Sequence, residues 1–493
     1  MWGRGASTAP IMVDFRPIAY VFGRILIVLA ILMLAPAAVD WRAGNDNAQA
    51  FLFSALITGG VGGLVALAAA NSLRGAFDIR QAYLLTAVIW FGLPIFAGLP
   101  FILGVPHLQF TEAYFEATSG ITTTGATVIY GLDAMPAGMN LWRGLLNAAG
   151  GLGIAFVAMI FLPVMRVGGM QFFRTEGFDT FGKALPRATD IAQQLLWVYV
   201  GLIVVAGLTY AAIGMNALDA TVHAMASIAT GGFSPRDTSF GAYTGAGEYF
   251  GALFMFLGSL PYVRYVQLVN GDSRPLWRDS QVRAYVKVLG LAVGTVTLWR
   301  WTTSDMTFED VFRESLFNLT SIISSTGFFS GSFPVWGGYM LVVAFVIGII
   351  GACSGSSASG LTIFRVQLVW AALVQQVRQI VMPGRVAPVK YEGRTVEPDV
   401  LDALILYVSG FVLTLGVMTV AMTLTGVDPT SSLFAVWTSL GNIGYGFGPM
   451  VERTGTFVDF PDTAKWIMTL AMLLGRLGLL AIFVLVLPRF WQR

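Results

Sequence analysis

Ten apolar stretches, each close to the length of a membrane-crossing helix, follow one another through this chain, near residues 17–38, 50–70, 82–103, 142–165, 191–214, 246–270, 284–302, 337–364, 401–425 and 464–488. Crossing the hydrocarbon takes about 20 apolar residues. Backbone in that medium must satisfy its own polar groups, which leaves helices or a closed barrel. Stretches of this length select helices. Composition agrees, since only 11% of the 493 residues are charged, against about 25% in soluble proteins. The fold expected is an all-α polytopic membrane protein, with the lipid bilayer as its first partner. Arg4, Arg16 and Arg24 come before or within the first apolar run. With no short apolar core and cleavage site, that run reads as an uncleaved anchor. The single cysteine, Cys353, excludes an intramolecular disulfide. Nothing resembles a basic patch with interleaved aromatics, so nucleic acid is not an expected partner.

Four shorter apolar segments, near 110–122, 217–228, 308–324 and 430–440, sit between pairs of spans. They are too short to cross and read as re-entrant pore helices. Each runs into a loop of one design: Thr122-Thr123-Thr124-Gly125, Ala229-Thr230-Gly231-Gly232, Ser325-Thr326-Gly327 and Gly441-Asn442-Ile443-Gly444. Irregular backbone at membrane depth is tolerated only where protein covers it or water reaches it. The expected architecture is four pseudo-symmetric helix–pore-loop–helix repeats around a central pore, plus two N-terminal transmembrane helices. The boundaries read as 1–75 for the extra helices, then 76–190, 191–280, 281–395 and 396–493 for the repeats. Phe115, Phe317 and Phe434 each stand ten residues before a loop glycine. In the second repeat that position, counted from Gly231, is Thr221.

Basic residues set the orientation. Arg74, Arg80, Arg166, Arg174, Lys183 and Arg187 share a side with Arg264, Arg274, Arg278, Arg283 and Lys287, and with Arg365, Arg378, Arg385, Lys390 and Arg394. That side reads as cytoplasmic. The loop side carries Glu112, Glu116, Asp133, Asp219, Asp237, Glu248, Asp305, Glu309, Asp310, Glu314 and Asp428. Carboxylates around a mouth raise the local cation concentration. The plainer alternative is a solvated face.

A cation leaving water must exchange hydration oxygens for others, and rings of backbone carbonyls supply them without fixed charge. Glycine lets the chain turn with positive φ, neighbouring hydroxyls satisfy nearby backbone groups, and short helices aim negative dipole ends at the ion. One Thr-Gly would read as ordinary helix capping; four copies favour a filter. Within the span 337–364 lies Gly351-Ala352-Cys353-Ser354-Gly355-Ser356-Ser357-Ala358-Ser359-Gly360. Small residues can mark close helix packing, but a run this long and rich in serine favours a broken helix lining the ion path. Arg476 is a charge inside the last span, and such residues are usually functional.

These motifs give the chain a specific resemblance. It is similar over essentially its whole length to the Trk/Ktr/HKT superfamily of potassium transporters, and most closely to the bacterial TrkH type. Ser119–Ala126, Ala229–Ser234, Ser325–Phe328 and Gly441–Gly444 carry the likeness, with Gly150–Gly153, Val167–Gln171 and Gly475–Leu477. The resemblance implies filter glycines at Gly125, Gly231, Gly327 and Gly444. It implies potassium, as transported ion, coordinated by carbonyls of Thr123, Thr124, Ala229, Thr230, Ser325, Thr326, Asn442 and Ile443. It implies an intramembrane gating loop in 351–360, including Gly351, Cys353, Ser354, Gly355, Ser356 and Gly360, and a conduction barrier at Arg476. It also implies a homodimer working with separate cytosolic nucleotide-binding (RCK/TrkA-type) regulatory subunits, in the bacterial inner membrane, with both termini cytoplasmic. The basic loops 166–190 and 365–395 are the candidate contacts. The chain departs from the family at Ser325, often threonine, at Tyr445, often proline, and at Gly478, often glutamate.

Two rival readings remain at this stage. A symporter coupled to protons would want titratable residues in the membrane, and only His107 and His223 are available; sodium coupling would leave little trace. An intramembrane enzyme would want a nucleophile elbow or a metal motif around the serine-rich run, and neither occurs. Gly59-Gly60-Val61-Gly62-Gly63 and the glycines at 150–153 lack a strand–helix nucleotide unit and read as helix packing, so no organic cofactor is expected.

Overall fold

The structure is a computed structural model describing residues 14–72, 79–156, 188–382, 388–477, 485 and 487–491. Arg4, Arg74, Arg166, Arg174, Lys183, Arg187, Arg385, Gly478 and the motif at 167–171 lie outside them.

Among the described residues, six helices are long and apolar enough to cross a membrane: Arg16–Arg42, Asn47–Ala68, Arg80–Leu103, Ala192–Ala212, Ser280–Thr303 and Pro398–Thr423. They coincide with six of the ten expected spans. The four others differ. Ala137–Phe156 and Asp462–Leu477 run to the edge of the described residues. The stretch 246–270 is two helices, Ala246–Gly258 and Tyr262–Val269, meeting at 92°. Pro261 explains the corner, since it lacks an amide hydrogen and disfavours helical backbone at Leu260. The stretch 337–364 breaks between Gly338–Ile350 and Ile363–Val381.

The four short helices are Phe110–Ile121, Ala217–Ile228, Phe308–Ile323 and Pro429–Leu440. Three begin on polar caps: Asn216, Thr307 and Asp428 accept from the amides of Asp219, Asp310 and Ser431. Such caps satisfy amides that a helix start leaves free. A small antiparallel hairpin pairs Lys390 with Thr395 and Tyr391 with Arg394.

Among the described residues, the two largest of four apolar clusters hold the short helices and the N-terminal helices in place. The larger gathers Phe115, Tyr210, Phe240, Phe317, Phe434 and Trp437 around the short helices. The smaller joins Leu26, Phe51 and Trp142 to Leu473 and Leu477, so the N-terminal helices pack beside Ala137–Phe156 and Asp462–Leu477. Helix packing accounts for part of the glycine-rich runs: Gly62 lies against Gly23 and Leu26, and Gly150 and Gly151 against Ile121 and Ala229. Gly60, Gly63 and Gly153 face open space.

Candidate functional site: four loops and the segment beneath them

All four short helices end in the same way. Thr123, Thr230, Ser325 and Asn442 have φ of 49°, 50°, 53° and 49°. Their amides donate three residues back, to Gly120, Ser227, Ile322 and Ser439. The next amides, of Thr124, Gly231, Thr326 and Ile443, donate five residues back, to Ser119, Ala226, Ser321 and Thr438, at 2.7–2.8 Å. This is the Schellman termination, in which a left-handed residue turns the chain and satisfies the last carbonyls. Glycine normally fills that position. Left-handed backbone is unusual for a β-branched residue such as Thr123 or Thr230, and strain of this kind gathers at functional sites.

Two residues further on, Gly125, Gly232, Gly327 and Gly444 again have positive φ, of 82°, 70°, 84° and 100°. A methyl group added to each would strike a neighbouring loop: Gly125 the carbonyl of Gly231, Gly232 that of Thr326, Gly327 that of Ile443, and Gly444 that of Thr124. The loops therefore close head to tail in a ring of four.

The ring fixes the register. Gly232, not Gly231, is the conformational equivalent of Gly125, Gly327 and Gly444. Gly231 is equivalent to Thr124, and Ala229 is a helix cap like Thr122. The two adjacent glycines left the sequence ambiguous by one residue. Counted from Gly232, the residue ten back is Val222, which is buried, whereas Thr221 is exposed. An apolar residue thus stands ten before the positive-φ glycine of all four loops.

Beneath the ring, the break in the span forms a pinched loop. Gly351 and Gly360 have φ of 68° and 86°, and a methyl at Gly360 would lie 3.1 Å from the Gly351 Cα. Leu361 donates to Ile349 at 3.0 Å and Ile363 to Ala352 at 2.9 Å, which closes the base. Ser354 is held by the Gln281 side chain at 2.9 Å and by Thr362 at 2.7 Å. Ser356 Oγ donates to the Cys353 carbonyl at 2.7 Å. The Gly355 carbonyl accepts from Tyr262 at 3.0 Å.

This loop bonds directly to the third and fourth ring loops and to Tyr262, and reaches the first ring loop only through Arg476. The Ser359 amide donates to Ser325 Oγ at 2.7 Å, and Ser359 Oγ donates to Asn442 Oδ1 at 2.9 Å. Tyr262 OH donates to the Ile228 carbonyl at 3.1 Å and shares a hydrogen bond with Ser357 Oγ at 2.8 Å. Arg476 donates to the Ser357 carbonyl at 2.9 Å, to the Thr122 carbonyl and to Thr123 Oγ1. The guanidinium is buried against backbone acceptors of loop 1 and of the segment below. Residue types in the serine-rich run gave no sign that Ser357 and Ser359 make these contacts.

The loop-side carboxylates are mostly neutralised. Glu112, Glu116, Asp133, Asp219, Glu248, Glu309, Asp310 and Glu314 pair with Lys465, Arg143, Arg236, Arg313 or Arg300. Arg236 holds the exposed Asp133 carboxyl below its ordinary range through a hydrogen bond. These acids pin loops together more than they leave free charge at a mouth. His223 bonds the Asp219 carbonyl at 2.8 Å and Ser234 Oγ at 3.0 Å, a packing role. Tyr445 packs on Phe329 and Phe333, with centroids 4.9 and 5.1 Å away. The segments after loops 2, 3 and 4 line a cavity of about 810 Å³, with Asp237, Phe329, Tyr445 and Glu452 on its wall. Among the described residues no His, Cys, Asp and Glu cluster could hold a metal ion.

With this geometry in view, comparison with known proteins decides the family. A family model described as "Cation transport protein" (TrkH) matches residues 47–493. The chain belongs to the TrkH cation transport protein family. The "Trk system potassium uptake protein TrkI" of Halomonas elongata is 35% identical over 488 residues, covering 97% of each chain. The "Trk system potassium uptake protein TrkH" of Escherichia coli K12 is 31% identical over 490 residues, covering 97% of this chain and 99% of the relative. The crystal structure of the potassium transporter TrkH from Vibrio parahaemolyticus superposes with a TM-score of 0.88 at 28% identity, covering 97% of this chain and all of that one. The TrkH family chain described here is thus a multi-pass membrane transport protein, and the enzyme reading falls.

Proposed function

We propose that this chain takes up potassium across the bacterial inner membrane, with both termini cytoplasmic. Carbonyls of the four-loop ring replace the ion's hydration shell. The reading rests on one observation: four equivalent loops meeting head to tail, each with a positive-φ glycine against its neighbour's carbonyl. The coordinating carbonyls are those of Thr123, Thr124, Thr230, Gly231, Ser325, Thr326, Asn442 and Ile443. In the second loop this reading takes Thr230 and Gly231 in place of Ala229 and Thr230, on the strength of the backbone equivalence of Gly232 to Gly125. The names of its relatives, potassium uptake proteins, support the choice of ion.

The loop 351–360 acts as the gate. It is bonded to Ser325 and Asn442, and through Arg476 to Thr122 and Thr123. Conduction requires it to leave, and these bonds hold it closed. Arg476 adds a positive charge that a cation must pass. A homodimer with cytosolic nucleotide-binding subunits would supply the force, docking near exposed Arg378, Lys390 and Arg394.

The test is current or tracer flux through the purified chain in liposomes. A reversal potential that follows the potassium gradient alone supports a selective pore. One that moves with a sodium or proton gradient would favour coupled symport instead. No potassium flux with or without a nucleotide-binding partner would end the reading.

A further inference from the structure

The four seams between neighbouring loops are built differently where the chain leaves the ring. Loops 2 and 3 are joined by backbone, Phe240 donating to the Phe329 carbonyl at 3.1 Å. Loops 3 and 4 are joined by the Tyr445, Phe329 and Phe333 rings. Loops 4 and 1 are joined by Phe457 donating to the Thr127 carbonyl at 2.9 Å and by Asn442 Nδ2 donating to Thr124 Oγ1 at 2.8 Å. Among the described residues, only the seam between loops 1 and 2 holds a buried guanidinium bonded to both exit strands.

That guanidinium is Arg143, on the helix Ala137–Phe156. Its Nε donates to Glu116 Oε1 at 2.9 Å, its NH1 to the Ser234 carbonyl at 2.8 Å and its NH2 to Thr127 Oγ1 at 3.2 Å. Glu116, on the first short helix, accepts in turn from Thr127 Oγ1 and from the Val128 amide at 3.0 Å. Thr127 stands two residues after Gly125, and Ser234 two after Gly232. One turn along the same helix, Asn147 repeats the motif: Nδ2 donates to the Gly120 carbonyl at 3.0 Å and Oδ1 accepts from the Phe233 amide at 3.2 Å. Arg143 is 1% exposed and Glu116 0%. The Arg143 guanidinium lies 4.1 Å from the Phe233 ring centre, which fixes its plane.

We propose that Arg143 and Glu116 are positioning residues for ion selection: they clamp the exits of loops 1 and 2 at one spacing. This rests on the filter reading above. A buried pair is weak evidence for stability in itself, because desolvating both charges offsets their attraction. Its geometry is what it contributes. A guanidinium presents a rigid planar fork, and a lysine ammonium cannot reproduce it. Here the fork spans three acceptors on two loops and a helix. Selection between cations of similar charge depends on the number and placement of carbonyl oxygens. A seam free to widen would lose discrimination first on this side of the ring.

The experiment compares the full wild-type chain with Arg143→Lys and Thr127→Val in liposomes, reading the potassium-to-sodium permeability ratio from reversal potentials. Arg143→Lys keeps the charge and loses the fork; Thr127→Val removes one acceptor of the fork and one donor to Glu116 while leaving both charges in place. The expected result is a ratio lowered at least about fivefold by Arg143→Lys, the scale of one buried hydrogen bond lost, and lowered in the same direction by Thr127→Val. Arg453→Lys, at an exposed pair, leaves it unchanged. If the wild type is itself unselective, the filter reading fails. If the wild type selects potassium while both variants stay within about twofold of it, the clamp is structural only and the proposal is overturned. Should Arg143→Lys yield no folded protein, Thr127→Val decides alone.

Discussion

The Arg476 guanidinium lies 2.9 Å from the Ser357 carbonyl while its other nitrogens reach Thr122 and Thr123, so one side chain ties the ring to the segment beneath it. A hydrogen bond from a charged donor contributes about 1.5–3 kcal/mol. Arg476→Ala removes the tie and the positive charge together. Resting potassium flux in liposomes is expected to rise about 10–100-fold, the same free energy read as an equilibrium shift. Unchanged or lower flux in folded protein would show that Arg476 does not restrain the path.

The register of the second loop is open to a direct comparison. Gly232 has a φ of 70° and faces the Thr326 carbonyl, whereas a methyl at Gly231 meets the Asn147 side chain. Left-handed backbone costs alanine about 1–2 kcal/mol before any collision with a carbonyl. Gly232→Ala is expected to reduce selective potassium flux at least about tenfold. Gly231→Ala, whose obstacle is a side chain, keeps more of it. The opposite ranking would restore Gly231 as the ring glycine.

Much of the fold could be read beforehand, for a physical reason. Length and apolarity define spanning helices in lipid, and the four short helices lie within two residues of their expected limits. The corner at Pro261 was missed because Gly258, Ser259 and Leu260 keep the stretch apolar or small, and hydropathy is blind to one turn of backbone. The candidate site was legible as motif but not as register: two glycines in sequence satisfy the same pattern, and only backbone hydrogen bonds separate them. Glu116 read as an outer-side acid because a sequence carries no distance to Arg143. Ser357 and Ser359 were hidden for the same reason, since a run of small residues does not say which hydroxyl or carbonyl meets the ring.

At the loop side, Asp133 and Arg236 give a pH prediction. The Asp133 carboxyl, at 2.9 Å from the guanidinium, titrates below its ordinary value of 3.8. A carboxylate depressed in the folded state stabilises at any pH above its unfolded value, and that contribution is lost as pH falls through the folded value. This pair therefore adds no slope to thermal stability between about pH 8 and about pH 5. Below that, wild type should lose stability more steeply than Asp133→Asn, the gap being small because Asp133 is half exposed. Melting of the detergent-solubilised protein across that range checks it. A difference in slope near neutrality would contradict the assignment.

Ser359 is the finer test of the gate. It touches the ring twice, through its amide to Ser325 and its hydroxyl to Asn442, while Ser356 Oγ bonds only within its own loop, to Cys353 and the Ala358 amide. Both hydroxyls are buried; at about 1 kcal/mol per hydrogen bond, Ser359→Ala loses one such bond and Ser356→Ala two. Only one of those bonds crosses from the loop to the ring. Ser359→Ala is expected to raise resting flux about fivefold, because it weakens the closed arrangement selectively. Ser356→Ala destabilises the loop wherever it sits and shifts the balance less. Equal effects from the two variants would mean that the loop opens by unfolding locally, not by leaving the ring as a body.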